Sequence, residues 1–286
     1  LFFLKKPKIL KNNDSEITYF IDMSDLKALL DSIYDRFHHP EYLKMDPLSC
    51  VHEFKTASDR EIGGLIASVL AYGRAEIIID HCYSVFRKID WDTRNFIFST
   101  SYKEKQKFFA GFKHRFNDGF DLALLLESIG NLLKHYGTLE NLFIAPFRDE
   151  SLTIKDALHH FTSQIKMSAE SLAGHKKKSF EYLLPSPESG SACKRLNMFL
   201  RWMTRDDDSI DFGIWKKVSK SKLIIPVDTH IATLSRKLGL TSRKSADWKM
   251  AEEITAKLRL FDPQDPVKYD FSLCRAGMVD YRKEAA

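Results

Sequence analysis

Apolar positions recur three and four residues apart along most of this chain, the spacing of amphipathic helices. Leu26, Leu29, Leu30 and Ile33 follow that period behind Ser24, which reads as an N-cap with Asp25 in the first turn. This first helix begins near Met23 and stops at His38-His39-Pro40, because the residue before proline is pushed out of the α region. Ser58 and Glu61 stand at capping-box spacing and predict the next start. The helix that follows, from Ile62 toward Gly73, is apolar nearly all round and should be buried on most faces. Its Gly63, Gly64, Ala67 and Ser68 would let another helix approach closely, and Gly73 reads as its stop. Arg74 then leads into a helix carrying Ile77, Ile78, Val85 and Phe86.

Residues 91–170 read as further amphipathic helices without an alternating strand. Leu122 to Tyr136 is the clearest, with Leu124, Leu125, Ile129 and Leu132 on one face. The basic run from His175 to Lys178 reads as a loop or lobe junction. From about Ser191 to Met203 a helix has Leu196, Phe199, Leu200 and Met203 as its core stripe. At ~100° per residue Lys194 falls nearly opposite, beside Met198 and Arg201. A wholly solvated face has little use for Met198, so this face is read as the lining of a cleft. The acidic run from Asp206 to Asp208 ends the helix. Asp228-Thr229 opens another, with Ile231, Leu234 and Leu238 inward and Gly239 closing it after Arg236-Lys237. Trp248 to Leu260 is a helix, Phe261 to Pro266 a rigid turn, and Val267 to Met278 a final helix with Tyr269, Phe271 and Cys274.

The expectation is an all-α chain with no internal repeat. Residues 1–22 form a tail, and 23–286 form a single domain of two lobes. One lobe is the middle segment, about 58–175; the other joins the N-terminal helix to about 176–286.

At 286 residues and 44% hydrophobic, the chain has enough apolar material for a large core. A pI near 8.8 and a net charge of +5 are a mild excess that does not by itself call for nucleic acid. Cys50, Cys82, Cys193 and Cys274 are far apart, so neither a zinc site nor a disulfide framework is suggested. No apolar run approaches the ~20 residues of a membrane span. The short run Leu1 to Leu4 has its lysines after it, the wrong order for a signal peptide. A cytoplasmic protein with reduced thiols, no membrane attachment and a monomeric state is expected. The absence of a starting Met reads as a processed or truncated start.

Candidate chemistry concentrates between Leu184 and Leu240. A Pro/Ser/Gly turn, Leu184 to Gly190, precedes the helix that carries Lys194 near its start. Asp228 lies 228 − 194 = 34 residues on, at the start of a second helix. A primary amine and a carboxylate, each at a helix N-terminus, would meet across a cleft. Residues 211–250 carry nine Lys/Arg, among them Lys216, Lys217, Lys220, Lys222 and Arg236, against three Asp, a net of 9 − 3 = +6. That placement suits a polyanionic partner.

The phrase Pro226-Val227-Asp228-Thr229-His230-Ile231, followed by Arg236-Lys237-Leu238-Gly239-Leu240, resembles the helix-hairpin-helix DNA glycosylase superfamily. Taken whole, residues ~20–280 resemble a family of uncharacterised bacterial proteins known only as a domain of unknown function. That resemblance is carried by Arg195 to Met203, Asp211 to Trp215, Asp228 to His230 and Asp265 to Phe271.

The glycosylase resemblance implies a two-lobed helical fold with a DNA-facing cleft. Within it Lys194 would be the nucleophile, with Asp228 beside it. Asp228 would stabilise oxocarbenium character at C1′ or help to deprotonate the amine. The amine must be neutral to attack, and a desolvated cleft with Arg195 nearby would lower its pKa from ~10.4. A Schiff base and strand nicking would follow, on a base that has left the stack. The partner implied is DNA, with RNA as the other polymer. Gly190, Arg195, Lys216, Lys217, Lys220, Lys222, His230 and Arg236 are the candidate nucleic-acid contacts. Met198, Arg201, Tyr269 and Phe271 are candidates for the substrate pocket. Two departures stand out. The family's Leu-Pro-Gly-x-Gly hairpin is replaced here by Leu184 to Gly190, whose second proline, Pro187, removes an amide donor. Cys274 is also the sole C-terminal cysteine, so no iron–sulfur cluster is expected; separately, no metal or other cofactor is expected.

Plainer readings stand beside these. Lys194 would serve as a solvated helix lysine and Asp228 as an N-cap, unless Thr229 caps and frees it. His230 would be a structural hydrogen-bonder. Lys216 to Lys222 would be a solvated loop, and Tyr269 and Phe271 a core face. Trp202 and Trp215 are read as core. The same fold binding nucleic acid without chemistry, or a helical scaffold for a protein partner, are the competing functions.

Overall fold

Helix starts in this chain are set by short polar side chains that satisfy otherwise orphaned backbone donors. A computed structural model describes residues 22–148 and 150–284. The predicted tail, apart from Asp22, lies outside the described residues. Asp22, two residues earlier than the expected Ser24, accepts the Ser24 N–H and opens α1 (Met23–Phe37). A short α2 (Leu48–His52) leads to α3 (Ala57–Val69), which is capped by Thr56 accepting from Asp59 N–H. The capping box read at Ser58 and Glu61 is therefore replaced. Glu61 is buried, and its carboxylate accepts from the Leu139 and Glu140 backbone N–H and from Trp215 Nε1. Those three donors hold a charge that burial pushes toward the protonated form.

The chain continues through α4 (Ala75–Lys88), α5 (Thr93–Ser99) and α6 (Tyr102–Phe108). A two-stranded hairpin follows, β1 (Lys113–His114) against β2 (Asn117–Asp118), too short to show any alternation in sequence. Asp118 caps α7 (Gly119–Tyr136) in a full capping box with Asp121. Then come α8 (Leu139–Ile144), α9 (Lys155–Ala173), α10 (Lys178–Leu183) and α11 (Lys194–Thr204). The series ends with α12 (Thr229–Lys237), α13 (Trp248–Arg259) and α14 (Asp270–Glu284). The described residues are thus mostly helical, with this one hairpin as their sheet.

The buried apolar residues form one connected cluster running from Leu26 to Leu273. Its centre is the packing of α3 on α11. Gly64 permits it: a Cβ there would lie 2.9 Å from Met203 Cε and 3.6 Å from the Phe199 ring. Gly63 makes similar room for the Phe54 ring. Trp202 and Trp215 are buried, as their apolar settings predict. On one side α7 packs on α9; on the other α14 is held between α1 and α12. No helix among the described residues is long and apolar enough to cross a membrane.

Candidate active site

The entry to α11 is a backbone device. Leu184 to Gly190 folds into a tight turn in which the Ser189 N–H donates to Ser186 O, the Gly190 N–H to Pro187 O, and the Glu188 N–H to Ser186 Oγ. Gly190 is left-handed, at φ 77°, where an L side chain is strained. Its carbonyl accepts the Trp248 N–H at 3.0 Å, and Ser191 bridges Asp247, so the turn is fastened to the start of α13. Cys193 then takes a left-handed φ of 48° and redirects the chain, making Lys194 the first residue of α11.

Asp228 opens α12 as its N-cap, with Oδ1 accepting the Ile231 N–H at 2.9 Å. The cap is therefore Asp228 and not Thr229. Its second oxygen is still left for another partner, because one carboxylate can cap with one oxygen and pair with the other. Oδ2 lies 3.4 Å from Lys194 Nζ. The two side chains keep 34% and 20% of their exposure, and both line a cavity of about 710 Å³. Burial alone would pull the Lys194 amine down, but Asp228, with Cys274 and Asp46 behind it, outweighs burial and holds it above the ordinary lysine value. The expected lowering by Arg195 does not occur. That guanidinium turns away, donating to Val69 O at 2.7 Å and Tyr182 O at 2.5 Å, between the Tyr72 and Tyr182 rings.

Beneath the amine lies an ionic floor. Arg201 lines the cavity but is buried, donating to Asp270 Oδ2 at 2.6 Å and Asp211 Oδ1 at 3.0 Å. Arg205 takes the other Asp211 oxygen at 2.5 Å, Asp265 at 2.9 Å and Asp208 at 3.3 Å. Asp208 in turn meets His38 Nε2 at 2.7 Å. Arg275, on the cavity wall, pairs with Asp46 and lies 3.7 Å over the Phe271 ring. Burial raises the Asp270 carboxyl despite Arg201, whereas at Asp46 the Arg275 charge overcomes burial and lowers it. These partners come from segments far apart in the chain. Their one signal in the sequence is that Asp211, Asp265 and Asp270 fall within the segments carrying the family resemblance.

Among the other candidate residues, Met198 and His230 line the cavity with Lys194 and Asp228. Tyr269 and Phe271 do not. Both are 1% exposed in the core, with Tyr269 Oη donating to Asp31 and Phe271 beneath Arg275, because the start of α14 packs toward α1. Gly190 is exposed, but its N–H and those of its two predecessors are already used within the turn. The basic loop lies away from the cavity. Lys217 Nζ donates to Asn141, Lys220 pairs with Asp206, and Lys222 sits 4.8 Å over Phe147. Lys216 is exposed on that same loop. Arg236, near the far end of α12 from Asp228, donates to the Arg243 and Lys244 carbonyls. The sequence reading missed Tyr72, Tyr182, Arg275 and Asp46 as wall residues. Cys274 is also in that wall as a thiol, pushed up to about 11 by burial. Among the described residues no three His, Cys, Asp or Glu side chains converge as a metal site.

A family model described as "Protein of unknown function (DUF2400)" matches residues 46–279, a span that contains every wall residue of the cavity but Met45. No curated protein and no solved structure matches the chain.

Proposed function

The chain belongs to that family, and from its site we propose that it acts on DNA as a base-excision glycosylase with lyase activity, on a two-lobed fold of the helix-hairpin-helix kind. One observation carries the reading: the Lys194 amine and the Asp228 carboxylate meet at 3.4 Å on the wall of one cavity. Supporting it, that cavity draws its walls from three stretches of the chain, within residues 45–47, 71–78 and 182–278. Its volume is in the range of small-ligand sites, enough for a nucleotide turned out of its stack.

The raised amine sets the order of events. Lys194 waits as an ammonium beside Asp228. As the N-glycosidic bond breaks, its electron pair goes to the departing base, and the ammonium supplies the proton that neutralises it. Asp228, still anionic, faces the positive charge growing at C1′. The amine, now neutral, forms the N–C1′ bond and gives its second proton to Asp228. The nitrogen lone pair then forms the C=N bond as C1′–O4′ breaks, and O4′ takes that proton back from Asp228, leaving the Schiff base. Tethering Asp228 through its cap keeps the carboxylate from following the amine.

The test is borohydride trapping on DNA carrying abasic or damaged sites. The wild type is expected to form a covalent adduct, and Lys194→Gln none, with unchanged thermal melting. Absence of an adduct from the wild type on either DNA overturns the lyase reading. Salt-dependent DNA binding that survives in Lys194→Gln would then leave a binding module.

A further inference from the structure

The rim of the cavity beside α3 carries an aromatic and cationic patch that the amine–carboxylate chemistry does not use. Tyr72 and Tyr182 line the cavity, with ring centroids 5.0 Å apart at 73°. Phe116 stands next to them at the turn of the β1–β2 hairpin, edge-to-face with Tyr182 at 5.3 Å. Its plane is within 3° of that of Tyr72, with centroids 6.4 Å apart. Phe116 is 59% exposed. Exposed apolar area is unfavourable by roughly 25 cal/mol per Å², so a phenylalanine held in water on a stiff support calls for a partner.

The support is stiff. Tyr72 Oη lies 2.9 Å from the His114 carbonyl and 2.5 Å from Asn117 Oδ1, so its single proton is shared between two acceptors. Asn117 Nδ2 donates to Asp121 and to Ser179 O, and His114 Nε2 meets Tyr72 O. Arg115, the other turn residue, holds a left-handed φ of 52° and lays its side chain against Gly73, 3.1 Å from where a Cβ would be. Its guanidinium lies 5.7 Å from the Phe116 ring. Arg115 is exposed beside the Phe116 ring, and Arg74 and Lys113, chain neighbours of Gly73 and His114, are exposed as well.

Flat π-faces with exposed cations on the same turn and its neighbours fit unpaired bases joined by phosphates: stacking needs a base free of its partner, and the cations track the backbone. The basic loop that would have followed a duplex, Lys216 to Lys222, does not reach this cavity. We propose that the Phe116 platform binds single-stranded DNA, stacking the base next to the one that enters the cavity, so that the protein prefers unpaired strands to duplex. This deepens the proposed function and rests on it for the reacting nucleotide.

The experiment uses the full chain, a thymidylate strand of about twelve nucleotides, a length within the range that stacking grooves cover, and the same strand annealed to its complement. The wild type is expected to bind the single strand more tightly than the duplex. Phe116→Ala should weaken single-strand binding by roughly tenfold, the loss typical of one stacked base, with thermal melting unchanged. Phe116→Trp should restore binding, and its added emission should be quenched by the strand. Tighter binding of duplex, wild-type affinity in Phe116→Ala, or no binding of either DNA at low salt overturns the platform; the last outcome would make the patch a protein-docking surface. Borohydride trapping separates the two proposals. Phe116-dependent binding without an adduct sinks the chemistry alone, and an adduct with Phe116→Ala as tight as wild type sinks the platform alone.

Discussion

Asp228 does two jobs with two oxygens, and substitution can separate them. In Asp228→Asn the amide oxygen still accepts the Ile231 N–H, so the cap on α12 survives while the charge facing Lys194 is lost. In Asp228→Ala both are lost. An N-cap deletion costs about 1 kcal/mol. The ion pair adds little to stability, because Lys194 keeps 34% of its exposure and solvent screens it. Urea unfolding should therefore rank Asp228→Asn near the wild type and Asp228→Ala lower by about 1 kcal/mol. The Lys194 amine should behave differently. Both variants remove the largest contribution that raises it and leave burial in command, so its pKa should fall below the wild-type value in each. Labelling with acetic anhydride across a pH series, read at Lys194 by peptide mass spectrometry, measures this directly. If Asp228→Asn loses as much stability as Asp228→Ala, the cap assignment is wrong. If the Lys194 labelling midpoint does not move down in either variant, the coupling between the two groups is refuted.

Two further outcomes are expected. Arg205→Met leaves Asp265 and one oxygen of Asp211 without their cation in the buried floor, and breaking a buried pair typically costs 3–5 kcal/mol; a loss under about 1 kcal/mol in urea unfolding would show that this network does not hold the cavity floor. His114 is fully buried, and burial, with His81 Nδ1 2.8 Å from its own, holds it below the ordinary 6.5. The unfolded chain then binds protons that the folded chain refuses, so this contribution is complete above about pH 6.5 and is lost as pH falls below it. Melting temperature should drop more steeply in acid for the wild type than for His114→Asn, and identical slopes would count against the assignment.

What was legible in the sequence was what neighbours along the chain decide. The face of α11 carrying Lys194, Met198 and Arg201 followed from helical geometry, and the start of α12 at Asp228 followed from its cap. The small residues of α3 announced a close helix, and α11 is that helix. The misreadings share a cause. Ser58 and Glu61 have the spacing of a capping box, yet the Glu61 carboxylate serves donors from α8 and Trp215, which no local pattern displays. Tyr269 and Phe271 stand where the last helix begins, but only the packing of that segment against α1 decides that neither meets the cavity. Lys216 to Lys222 are concentrated in sequence beside Asp228, yet the loop runs back to α8 and Asp206. The hairpin bearing Phe116 has two residues per strand, below the length at which alternation can be seen.

The Asp46–Arg275 pair joins residues 229 positions apart. Contacts that span so much chain are among the last to form, since the intervening segment must be ordered before its ends can meet. Most helices and much of the α3–α11 core are satisfied by nearer partners. A refolding population should accordingly pass through a stage with nearly full far-ultraviolet ellipticity but no formed cavity, and the Lys194 amine would stay open to bulk solvent until that distant closure is complete.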